Sequence, residues 1–175
     1  MKFLNKVKNS RGLNTIETVI LSLIVITAVC ALLDLTNVMK KQHAISSTAN
    51  YVARTIGKQG GLRQNKPDYY PGNYISSSSL YSDIKKSMND AGIADSDWKL
   101  TIKTPRDGTV DFTPYTNLSL TEKGKDMEVT LTINYYWNLS AQVTPIKLKG
   151  SNTAKRVATS TFKIRENTST NTEIK

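Results

Sequence analysis

The chain has 175 residues and a formal net charge of +10, from 24 Lys and Arg against 14 Asp and Glu, with one His and one Cys. A single cysteine excludes an intramolecular disulfide, so the folded part must be stable without one. A single histidine, His43, leaves no means of building a Ser-His-acid triad or a His-rich metal site elsewhere in the chain. We therefore expect no catalytic residues, no metal and no cofactor.

The chain begins with a basic leader, residues 1–12, followed by one predicted membrane-spanning helix, residues 13–34. The charges of the leader are Lys2, Lys6, Lys8 and Arg11, with no acid among them. Residues 18–33 are almost entirely apolar, and a helix over the predicted span is about as long as the roughly 30 Å hydrocarbon core of a bilayer. Because positive charge beside a span holds that side in the cytoplasm, we expect the N-terminus inside and the C-terminal domain outside the cell.

Glu17 is the one acidic residue within this apolar segment. A carboxylate in a spanning helix costs about 2.5–3.5 kcal/mol at the bilayer centre and less near the interface. One explanation places Glu17 in the first turns of the helix, where the positive end of the helix dipole and headgroup water favour a carboxylate. The other explanation is a partner charge that Glu17 acquires on assembly.

Gly12, Leu13 and Glu17 resemble the processing signature of the type IV pilin superfamily. The resemblance implies that a prepilin peptidase cleaves between Gly12 and Leu13, which makes Glu17 the fifth residue of the mature chain. It also implies that Glu17 neutralises the free amino terminus of a neighbouring subunit.

The residues that follow narrow the resemblance to TadE-like minor pseudopilins of tight-adherence pili. They are Asp34, the Gln42-His43-Ala44 segment, and residues 49–54, followed by Gly57 and by Gly60-Gly61. The chain also resembles single-span proteins of Gram-positive mobile elements. These resemblances imply a structural subunit of a type IV or Tad-type pilus, or of a related secretion system, with other pilin subunits as partners. The alternative is an uncleaved, membrane-anchored accessory protein of a conjugative or transfer apparatus.

The net charge also raises the question of nucleic-acid binding, since a basic domain is the electrostatic footprint of phosphate recognition. Four of the positive charges lie in the leader, and the others are scattered through the chain. No aromatic and basic residues form the signature of a known nucleic-acid module. Attraction to an anionic cell wall is the simpler use of this charge, although DNA capture is an alternative.

Helical periodicity predicts that the first helix continues outside the membrane over residues 35–59. Apolar residues recur at helical spacing from Leu35 through Val38, Ile45, Ala49 and Val52 to Ile56. A loop rich in Gly, Pro and Ser follows, in which Tyr69, Tyr70 and Tyr74 are expected to cover the domain rather than to form an adhesive surface. A second, short helix is predicted from a Ser79 cap to Gly92.

The rest of the small outer domain, residues 60–165, is predicted to form strands. Alternating patterns indicate a strand at 98–103, a weak one through Val110 and Phe112, a central one at 127–139, and one at 156–165 whose uneven parity suggests a bulge. Residues 166–175 are predicted to be disordered. The order of elements predicts an α+β fold: a long N-terminal helix packed on an antiparallel sheet of three to four strands, with one short extra helix.

Overall fold

The structure is a computed structural model that describes residues 2–67, 70, 72–136 and 149–163, with side chains from residue 15 onward. Its elements are helix α1 (Lys2–Gln59), helix α2 (Ser77–Asp90), and strands β1 (Trp98–Thr104), β2 (Gly108–Asp111), β3 (Asp126–Tyr136) and β4 (Lys149–Thr159). The four strands form one antiparallel sheet. The predicted α+β class, with a long helix, a short helix and a small sheet, is confirmed.

The chain divides into two compact units. Unit 1 comprises Met1–Lys40 and Tyr135–Gly150, and unit 2 comprises Lys41–Asn134 and Ser151–Lys175. Within the described residues, every buried hydrophobic side chain belongs to unit 2. The hydrophobic core is therefore the core of unit 2.

Helix α1 begins earlier than the sequence predicts. It begins at Lys2 rather than near Leu13. The leader has no proline, and Gly12 alone costs only about 1 kcal/mol in a helix that continues on both sides of it. The predicted end near Gly57 is confirmed: α1 ends at Gln59, and Gly60 adopts a left-handed φ of 69° that stops the helix.

One face of α1 forms a wall of the unit 2 core. Ile45, Ala49, Val52 and Ile56 are each at most 1% exposed, at the spacing of one helical face. This part of the predicted stripe is confirmed. Leu35, which the same periodicity assigned to the stripe, is 48% exposed. Adjacent residues of a helix point about 100° apart, and in this turn it is the neighbouring Asp34 that is buried. Leu35 therefore points away from the buried side.

Helix α2 contributes Leu80, Ile84 and Met88 to the same core, as predicted. Its N-cap is Ser76, whose Oγ accepts a hydrogen bond of 3.2 Å from the backbone N–H of Ser79, so the predicted Ser79 cap is wrong. Every serine of the 76–79 run can cap a helix, and local sequence does not choose among them.

The sheet has the strand order β2-β1-β3-β4, which confirms the predicted central position of β3. Strand β1 pairs with β3 from Trp98↔Ile133 to Lys103↔Glu128. The inner face carries the buried side chains of Leu100, Ile102, Met127, Val129, Leu131 and Ile133. The outer face of these strands carries polar residues such as Thr101, Thr130 and Thr132, which are half-buried.

The prediction for β4 is wrong at both ends. A strand was expected over residues 156–165, but β4 is Lys149–Thr159. Its inward side chains include Asn152, Ala154, Arg156 and Ala158, so the apolar alternation that marks a strand is missing. Hydrogen bonding to β3, rather than an apolar pattern of its own, holds these residues in a strand.

Two cross-strand contacts illustrate this pairing. The hydroxyl oxygens of Thr132 and Thr153 lie 3.1 Å apart, and the Thr159 hydroxyl donates to Asp126 over 2.7 Å. No bulge is needed to explain the parity, because Val157 is exposed and Phe162 lies beyond the end of β4. The predicted strand residues 137–139, 164 and 165 and the predicted disordered tail lie outside the described residues.

A fragment that starts at Lys40 should unfold cooperatively, whereas a fragment that starts at Gly60 should be much less stable. The shorter fragment lacks Ile45, Val52 and Ile56, and loss of one buried aliphatic side chain typically costs about 2–5 kcal/mol. Such a loss is comparable with the whole stability of a small domain. Urea denaturation followed by tryptophan fluorescence measures the difference. Equal midpoints for the two fragments would show that α1 does not stabilise the sheet.

Candidate functional site

Glu17, one of the residues predicted to carry the function, lies in an exposed apolar stretch of α1. The helix contains a segment long and apolar enough to cross a membrane, and none of it is buried within the protein. Its exposed large apolar side chains, which we call the apolar belt, are Ile16, Val19, Ile20, Leu21, Leu23, Ile24, Val25, Ile26, Val29, Leu32, Leu33, Leu35 and Met39. Each of them is 48–63% exposed. A continuous surface of this kind requires lipid or another apolar partner.

Glu17 lies within the apolar belt, and its side chain is exposed. Ile20, Leu21 and Ile24 follow at spacings of three, four and seven residues, so the carboxylate shares its helix face with apolar side chains. Among the residues whose side chains are described, none forms a hydrogen bond or ion pair with Glu17. In an apolar environment a counter-charge stabilises an ionised carboxylate, and none of the described side chains supplies one to Glu17.

Gly12 and Leu13 have helical backbone within α1, and the side chain of Leu13 lies outside the described residues. Leu13 precedes Glu17 by four residues, or about 6 Å along the helix axis. Cleavage between Gly12 and Leu13 would require local opening of the helix. Glycine lowers the cost of that opening because it is the weakest helix former after proline.

Unit 2 has a polar cleft of about 660 Å³ beyond the end of α1. Its polar lining residues are Arg63, Gln64, Asn65, Lys66, Asn117 and Ser119. Its two walls are joined where the Leu118 N–H donates to the Leu62 carbonyl over 2.7 Å, and where the Gln64 N–H donates to Asn117 Oδ1 over 3.1 Å. These two hydrogen bonds hold the two walls of the cleft together.

Asp107 anchors one wall of this cleft. Its carboxylate accepts hydrogen bonds from the Ser119 hydroxyl at 2.7 Å and from the Ser119 N–H at 2.8 Å. Partial burial acts to raise the pKa of Asp107, but hydrogen bonds from Ser119 and Thr104 and the charge of Arg106 outweigh it, so the pKa lies below its ordinary value. This role could not be predicted from the sequence, because it depends on a contact between separate loops.

The tyrosine cluster belongs to the packing of the domain. The Tyr70 ring stacks on Phe162 with centroids 5.6 Å apart and meets the edge of Tyr74 at 5.2 Å. The Tyr74 hydroxyl accepts a hydrogen bond of 2.7 Å from the Arg63 N–H. The prediction that these tyrosines cover the domain is confirmed for Tyr70 and Tyr74, and Tyr69 lies outside the described residues.

His43 and the carboxylates of Asp83 and Asp95 do not form a metal or catalytic cluster among the described residues. His43 is exposed on α1, and no group of three or more His, Cys, Asp or Glu in the described part of the chain could hold a metal ion. Asp83 accepts a 2.9 Å hydrogen bond from the Tyr51 hydroxyl, and burial together with this bond raises the pKa of Tyr51. Asp95 pairs with Lys85 at 2.5 Å.

Comparisons with protein families, with curated proteins and with solved structures found no match. The resemblance at Gly12, Leu13 and Glu17 therefore stays a prediction from the sequence.

The Asp107→Asn variant should be less stable than the natural protein at neutral pH. Because the folded-state pKa of Asp107 is depressed, its carboxylate stabilises the fold above the unfolded-state pKa of about 3.9. That contribution disappears as the pH falls through the folded-state pKa. The gap in urea midpoint between the two proteins should therefore be clear at about pH 7 and shrink at about pH 3.

The matched control is Asp90→Asn, because Asp90 is exposed and has no partner among the described residues. This change should shift stability by no more than about 0.5 kcal/mol. A gap between Asp107→Asn and the natural protein that is equally large at both pH values would show that the charge of Asp107 is not involved.

Proposed function

We propose that the protein is a pilin-like structural subunit, of the minor pseudopilin type, in a type IV or Tad-type pilus or a related secretion system. In this proposal α1 anchors the chain in the cell membrane, with its N-terminus in the cytoplasm and unit 2 outside the cell. The observation that supports it most is the exposed, unpaired carboxylate of Glu17 within the apolar belt.

A plain membrane anchor has no use for that carboxylate. An apolar residue at position 17 would insert more favourably, since an acidic side chain costs up to about 2.5–3.5 kcal/mol in a spanning helix. The cost is offset when a cation lies within contact distance in the low-dielectric membrane. A subunit of an assembled helix bundle can obtain such a cation from its neighbour.

Cleavage after Gly12 would create the required cation. The new amino terminus at Leu13 carries a positive charge, so each processed chain contributes one amine and one Glu17 carboxylate to the apolar region. A neighbour displaced along the helix axis can then pair its amine with Glu17. The leader charges Lys2, Lys6, Lys8 and Arg11 would orient the chain before cleavage removes them.

The surface of unit 2 is compatible with an exported domain that stands in water. Its apolar side chains are collected on the inner face of the sheet, whereas the outer face of β1 and β3 is rich in threonine and charged residues. The single cysteine, Cys30, belongs to the apolar segment of α1. The folded domain therefore needs no disulfide chemistry after export.

Protein purified from native cells with an active prepilin peptidase should begin at Leu13. Gly12→Leu should block this processing, because the peptidase needs close approach to the backbone at the scissile bond. Ser10→Leu is the matched control, since it adds the same side chain to the leader and leaves Gly12 in place. N-terminal sequencing gives the result. A natural protein that retains residues 1–12 would refute the pilin proposal and favour the uncleaved accessory protein.

Glu17→Gln should insert into the membrane normally but fail to enter the assembly. The variant removes the partner of a desolvated amino terminus, and an uncompensated buried charge typically costs about 3–5 kcal/mol. Glu17→Asp retains the carboxylate and should enter at least partly. Copurification with the assembly measures incorporation, and membrane fractionation confirms insertion. Normal incorporation of the glutamine variant would refute the pairing of Glu17 with a neighbour's amino terminus.

A further inference from the structure

We draw no further inference here: the strongest candidate, the outer edge of strand β2, whose Thr109 and Asp111 are exposed and direct their main-chain groups away from β1, carries nothing because no feature of the described residues shows what would cover it.

Discussion

The structure depends on the close contact between the last turns of α1 and the end of β4. A side chain at Gly57 would place its Cβ 3.3 Å from the Cβ of Ala158 and 3.3 Å from the Thr159 carbonyl, which is tighter than ordinary packing. The absence of that side chain lets the Gly57 carbonyl accept the Thr161 N–H at 2.9 Å. The helix backbone is thereby attached to the sheet edge through the main chain.

The chain then turns back on itself through Gly60 and Gly61. Gly60 has a left-handed φ of 69°, and a Cβ there would lie 2.6 Å from the Cβ of Phe162. The Gly60 carbonyl accepts a hydrogen bond of 2.6 Å from the Thr121 N–H. The Leu62 carbonyl accepts another, of 2.7 Å, from the Leu118 N–H. The paired glycines are explained by this steric requirement. A phosphate-binding loop is not needed to account for them, and they lack its lysine and hydroxyl residues.

Local periodicity predicted the elements whose side chains segregate into apolar and polar faces. The buried stripe from Ile45 to Ile56 and the alternation of β3 from Met127 to Ile133 are of this kind, and both were correctly predicted. Strand β4 was not, because its inward residues are small or polar and its pairing with β3 is a long-range interaction. The N-terminus of α2 was missed because consecutive serines cap equally well.

The same difference between local and long-range patterns applies to the functional residues. Gly12, Leu13 and Glu17 are close together in the sequence, so the sequence alone could single them out, and their roles stay predictions. The position of Arg156 could not be predicted in this way. Arg156 lies 106 residues from its partner Asn50, and only the fold brings it beside Arg54.

Glu17 has a charge that the described part of the chain does not balance, because it is an acid in the apolar belt. Unit 2 by contrast pairs some of its charges, as Lys155 does with Glu128. An unpaired charge at the protein surface costs little in water, but it becomes costly once an apolar partner excludes water from it. Under the proposed function, the apolar belt therefore favours partners that supply a cation to Glu17.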